Sequence, residues 1–234
     1  MKTTTGITLL SAAALLGPAT VTAAENLSDK LPWTYVEGAY LRVDGTEEFE
    51  VDAYALNASV GFAGIGHAQL EYLDGEADDD SSSSFSDDAD FDGYRLIAGV
   101  HPAINDDTQA RFDVTYFDYE TDFDAGGDAS QDGYGLGFGL RHAFSPKFEG
   151  TAEVWYVEGD TDFGSGSEDF NDISLEFQGR YNWTPNLSVG LTYLLNGGVF
   201  GSAVNASSSS SSNGDVARFD VRWSFGYNGL SDIK

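Results

Sequence analysis

In the stretch DGYGLGFGLRHAF, residues 132–144, Gly133, Gly135, Gly137 and Gly139 hold one parity and Tyr134, Leu136, Phe138 and Leu140 the other. Successive side chains of a strand point to opposite faces, so a period of two means a β-strand. One face of this strand is apolar. The other is nearly bare until Arg141. What each face meets decides the fold.

The alternation recurs in ten segments: 33–43, 50–62, 66–74, 92–101, 108–119, 132–144, 149–158, 171–183, 187–196 and 214–225. None has the 3.6-residue period of a helix. The connections alternate too. Residues 63–65, 102–107, 145–148 and 184–186 are short, whereas the connections between them are long, acidic or rich in Ser and Gly. The first connection, 44–49, is short but acidic and belongs with the second group. Short turns at one end and long loops at the other are the arrangement of a bacterial outer-membrane barrel. Tilted strands of roughly 9–11 residues suffice to cross a bilayer. The expected fold is all-β: a closed antiparallel up-and-down transmembrane β-barrel of ten strands, with eight as the alternative. Regular short strands would also suit a soluble sandwich.

Tyrosine placement argues against the sandwich. Tyr40, Tyr54, Tyr72, Tyr94, Tyr116, Tyr134, Tyr156 and Tyr193 share the apolar parity and stand near the long-loop end of their segments. A ring of amphipathic aromatics at one height is the girdle of a barrel at the lipid–water boundary. The apolar parity is therefore read as lipid-facing and the other as the lumen. Twelve charged residues fall on the lumen side: Glu37, Glu71, Asp113, Glu153, Glu176 and Asp220 against Arg95, Arg111, Arg141, Arg180, Arg218 and Arg222. The forked guanidinium suits paired, enclosed carboxylates better than lysine does. Reversing the parity would put each Arg in lipid at ~2–4 kcal/mol near the midplane. The glycines of 133–139 then make room inside the barrel, with Phe117, Trp155 and the arginines as candidates to fill it. An open channel at these glycines is the alternative, but barrels this narrow are usually packed with side chains.

The chain begins with a short positive region, Met1-Lys2, then the apolar run Ile7–Gly17 and the small residues Ala23 and Ala24. This is the pattern of a secretory signal, and the run is too short to span a membrane as a helix. The expected division is a signal peptide over 1–24, a short periplasmic segment over 25–32, the barrel over 33–225 and a tail over 226–234. Export would carry the chain to the outer membrane of a Gram-negative bacterium.

There is no cysteine, and the net charge is −28. The first excludes disulfides and thiolate metal sites. The second argues against nucleic acid, which needs a basic surface. The acids crowd the long-loop side: five over 44–52, nine over 74–92, and six each over 118–132 and 158–172, with no Lys or Arg in these spans. Solvated loops of like charge are the simplest account. Weak, shared binding of divalent cations by the loop carboxylates is the functional one. Asp88, Asp90, Asp92 and Gly93 match the first half of a calcium loop. The twelfth position, however, is Gly99 rather than Glu, and the flanks are strands. Otherwise no cofactor is expected. The histidines His67, His101 and His142 all lie beside short turns, so no catalytic His–Asp or His–Ser arrangement is expected at the acidic end, and no enzyme is predicted.

The chain resembles the OmpA/OmpX-like superfamily of small outer-membrane barrels, with YVEGAY (35–40) as first strand and RFDVRWSF (218–225) as last. The latter is similar to the terminal signal read by the barrel-assembly machinery, here Phe219, Val221, Trp223 and Phe225. Familiar members have eight strands and end at that signal, whereas GYNGLSDIK (226–234) follows it here. The resemblance implies a monomer in outer-membrane lipid with a structural or surface-binding role through its acidic loops. A narrow cation-preferring pore is the alternative. The count of ten strands also resembles the omptin proteases, but their catalytic Asp and His sit at the outer rim. There this chain has no histidine, and its alternating segments are short for so tall a barrel.

Overall fold

The computed structural model describes residues 31–44, 49–79, 89–124, 127–163, 166–195 and 215–225. The strands are β1 (Tyr35–Asp44), β2 (Phe49–Phe62), β3 (Gly66–Asp79), β4 (Ala89–Val100), β5 (Ala103–Asn105), β6 (Thr108–Phe123), β7 (Asp128–Ser145), β8 (Phe148–Asp162), β9 (Ser167–Asn182), β10 (Leu187–Leu195) and β11 (Asp215–Ser224). Each pairs antiparallel with its neighbour. β1 pairs with β11 and β4 with β6, so among the described residues the sheet closes on itself. The three-residue β5 continues β4 past Pro102 along the start of β6. The barrel therefore has ten staves, as the alternation indicates, and closure removes every exposed ladder edge.

Below the tyrosine ring, on the side of the short turns, the wall follows the expected parity. Leu56, Leu96, Val114, Leu136, Phe138 and Leu191 are exposed, and the intervening side chains are buried inside. The glycine-rich strand packs as its composition suggests. A Cβ at Gly133 would stand 2.6 Å from the Phe117 ring, and one at Gly137 2.7 Å from the Trp155 ring. The bare face of β7 is thus the seat of two large inward rings from its neighbours.

Above the ring the structure departs from the expected boundaries. The segments read as 66–74, 92–101, 108–119, 132–144, 149–158 and 171–183 continue as strand toward the long loops. They become β3, β4, β6, β7, β8 and β9, of 12 to 18 residues. The eight tyrosines consequently ring the barrel part-way up rather than at the strand ends, and the segments are not short. The physical reason is an inversion of the pattern. Asp74, Glu76, Asp90, Asp92, Glu120, Asp122, Asp132 and Asp160 take the outward parity and are exposed. Leu41, Val51, Leu73, Phe91, Phe117, Tyr119, Val157 and Val216 take the inward parity and form one buried cluster. Acid outside and hydrocarbon inside is the polarity of a wall in water, so the sheet continues past the membrane.

Candidate functional site: the occluded lumen

The lumen is filled in three layers. The lowest, beside the short turns, is built by residues that precede β1. Leu31 is fully buried and packs on Ala143. Trp33 lies between His67 and His101, with ring centroids 4.1 and 4.3 Å away. Its indole N–H donates to Gln109 Oε1 at 3.0 Å, and the Arg111 and Arg141 guanidiniums stand 4.9 and 5.1 Å from its ring. Backbone bonds anchor the segment: Phe225 N–H donates to Thr34 O at 2.9 Å, and Arg141 Nη1 donates to Pro32 O at 3.2 Å. His101 Nε2 donates to Gly66 O over 3.2 Å. Trp33 shares the inward parity of Glu37 in the segment read as 33–43, although β1 begins only at Tyr35. The pairing of His67 and His101 with one tryptophan is a tertiary event.

The middle layer is the charged belt. Glu37 receives three guanidiniums: Arg180 Nη2 at 2.9 Å, Arg218 Nη2 at 2.9 Å and Arg222 Nε at 2.8 Å. Arg180 also reaches Asp220 at 2.6 Å, and Arg218 reaches Glu71 at 2.5 Å. Arg111 bridges Asp113, at 2.8 Å, and Glu153. Arg95 lies over the Trp155 ring at 4.9 Å, and Glu176 lines the same cavity. All twelve charges read as luminal thus point inward. A thirteenth joins them. Glu149 is buried, accepts from Arg141 Nη2 at 2.8 and 2.9 Å, and lies 3.5 Å from Arg180 Nε. The expected balance of six acids and six arginines is corrected to seven carboxyl groups around six guanidiniums. Glu149 shares the parity of Glu153, which was the available signal. The belt leaves a cavity of about 60 Å³ among Asn57, Gln69, Arg95, Glu153 and Trp155. That is room for roughly two water molecules rather than a passage.

The upper layer is the apolar cluster already described, in which the Phe91 ring occupies the space a Cβ on Gly75 would need, 2.6 Å away. Of this layer the sequence signals Phe117, opposite the β7 glycines; the rest lies where the outward parity is acidic rather than apolar.

The outer surface carries the remaining expected residues. The girdle tyrosines reach up to carboxylates: Tyr72 to Asp92 at 3.3 Å, Tyr94 to Asp118 at 3.2 Å, Tyr156 to Glu158 at 3.0 Å and Tyr193 to Asp215 at 2.7 Å. Tyr40 donates likewise to Asp52, and Tyr54 and Tyr134 stand exposed beside partners Tyr40 and Tyr116 in the ladder. Apolar rings below and hydroxyls tied to acids above mark where lipid gives way to water. Phe219, Val221 and Trp223 line the outer face of β11, and Phe225 follows. Of the half calcium loop, Asp88 lies outside the described residues. Asp90 and Asp92 stand on strand β4, opposite Glu76 and Asp74, so the stretch is wall rather than a chelating loop. Among the described residues no group of three His, Cys, Asp or Glu side chains could hold a metal ion. His142 sits on the outer wall, its Nδ1 2.9 Å from the Thr108 hydroxyl. All three histidines lie at the short-turn end of the barrel.

No protein-family profile and no curated protein sequence matches the chain. Solved structures similar to it are outer-membrane barrels. A KdgM porin is 13% identical, with 82% of this chain and 99% of that one covered and a TM-score of 0.42. An outer membrane channel from Pseudomonas putida F1 is 8% identical, with 83% and 96% covered and a TM-score of 0.48. The outer membrane protease OmpT from Escherichia coli is 11% identical, with 82% and 94% covered and a TM-score of 0.37. The chain's own strand pairing shows a closed, ten-staved antiparallel β-barrel.

Proposed function

We propose that this chain is a sealed, non-conducting barrel of the Gram-negative outer membrane, structural or surface-binding in role, presenting an acidic wall and acidic loops to the medium. The observation that carries this reading is the filling of the lumen at three heights: by Trp33 between two histidines, by the arginine–carboxylate belt, and by the apolar cluster around Phe91 and Phe117. An ion would have to displace all three. Export by residues 1–24, insertion by the barrel-assembly machinery through Phe219, Val221, Trp223 and Phe225, a monomeric state and kinship with the OmpA/OmpX-like barrels belong to the same reading. The field of the wall attracts cations and repels anions. Its carboxylates, Asp90 and Asp92 among them, would bind divalent cations weakly and in common.

Single-channel recording of purified, refolded protein in a planar bilayer tests it. The expected trace is flat at physiological salt. Stepwise, cation-selective conductance would replace this reading with that of a narrow pore.

A further inference from the structure

The lipid-facing wall is not evenly convex. A trough of about 500 Å³ runs obliquely across β7 to β10. Its floor is Gly150, Ala152 and Gly179, and Gly150 pairs with both His142 and Gly179 across the ladder. Phe144, Phe148 and Phe177 wall it. The floor is low because two adjacent staves, β8 and β9, carry no side chain larger than a methyl group there. A Cβ on Gly150 would meet the Phe144 ring at 2.8 Å, so the ring leans over the floor. Gly179 leaves open space, with only the tip of the Phe148 ring at 3.7 Å.

The charge around this trough sets it apart. His142 edges it, on a parity otherwise given to hydrocarbon. The Thr108 hydroxyl engages Nδ1, which leaves Nε2 as the ring's second hydrogen-bonding atom. Lys147, the only lysine among the described residues, is exposed on the Pro146–Lys147 turn that joins the two strands beside the trough. A larger groove of about 770 Å³ lies around Ala58, Ala68 and Ala98. Its edge at the Ala63–Ile65 turn and Phe225 carries no cation among the described residues. On a chain whose net charge is −28, a lysine and an imidazole beside one apolar trough are a specific departure, set against Asp106 and Asp107 on the neighbouring turn, where Asp107 O accepts from Ala143 N–H at 2.8 Å.

We propose that this trough seats one anionic phospholipid of the periplasmic leaflet, an acyl chain lying over Ala152 and Gly179 beside the Phe144 ring and the headgroup phosphate held by Lys147 and His142. The inference rests on the barrel crossing the outer membrane with its short turns in the periplasm, not on whether the lumen conducts. A lysine ammonium supplies the long-range attraction to phosphate, and the imidazole Nε2 supplies a directional contact at the lipid interface.

Native mass spectrometry of the full mature chain in detergent, with phosphatidylglycerol or phosphatidylcholine added at equal concentration, tests this. The expected result is one phosphatidylglycerol retained, with phosphatidylcholine retained about fivefold less, the factor for one cation near an anionic surface. Lys147→Gln should abolish that preference, and Gly179→Leu should remove retention of both lipids. Ala98→Leu, in the other groove, should change nothing. Equal retention of the two lipids by the unaltered chain would overturn the proposal. So would a preference that survives Lys147→Gln, or displacement of phosphatidylglycerol by lipid A at equal concentration. Heat-dependent gel migration reports whether each variant is folded. Should Gly179→Leu fail to fold, Lys147→Gln on its exposed turn still decides. Channel activity in a bilayer would defeat the sealed-barrel reading and leave the lipid result standing.

Discussion

Glu37 accepts from three arginines on two strands, and none of the four groups is on the surface. Such a node is unforgiving when halved: removing one partner of a buried pair costs about 3–5 kcal/mol, because the other charge is left without compensation. Arg180→Leu, which strips Glu37, Asp220 and Ser188 of a donor at once, is expected to cost at least that by urea unfolding in detergent micelles. Gly137→Leu would force a side chain into the Trp155 ring and should cost about 1–3 kcal/mol or more by the same measurement. Ala63 holds a left-handed φ of 52° in the β2–β3 turn, next to Gly64 at 72°. Ala63→Gly should therefore raise stability by about 1 kcal/mol.

At the scale of the element, each long strand carries two opposite patterns in one run of backbone. Along β4, Phe91 and Ile97 point inward, Asp90 and Asp92 outward into water, and Leu96 and Val100 outward into lipid. The switch comes at Tyr94, whose ring faces lipid and whose hydroxyl meets Asp118. Substitutions should therefore sort by height rather than by parity alone. Phe91→Ala, inside the water-exposed section, is expected to cost about 3–5 kcal/mol. Asp90→Asn, on its outer face, should change stability by no more than about 0.5 kcal/mol. Leu96→Arg, only a few residues further along the same strand, should cost about 2–4 kcal/mol because its outer face meets hydrocarbon. Unfolding midpoints of the three variants in lipid vesicles check the order. Equal tolerance at Asp90 and Leu96 would contradict the placement of the lipid boundary at Tyr94.

For the whole molecule the layers are redundant. Trp33 closes only the short-turn end, so Trp33→Ala should loosen that mouth without producing conductance, because the belt and the cluster around Phe117 remain. Recording in planar bilayers checks this. Current through Trp33→Ala alone would mean that the upper layers leak.

Alternation and charge by themselves determined the class of the molecule. Period two, ten times over, with hydrocarbon on one parity and arginines on the other, admits one economical solution: a closed sheet with lipid outside and ion pairs within. The reason is local, since a residue's side of the sheet follows from counting along the strand. Even the glycines of β7 announced large inward neighbours. Only the tertiary structure decided how the interior is shared out. Which arginine meets which carboxylate, that Glu149 joins them, and that Trp33 slots between His67 and His101 all depend on the stagger of strands far apart in sequence. The height at which lipid ends was equally hidden. The parity of β3 to β9 does not break there; what changes is the medium outside, and with it which face must be greasy.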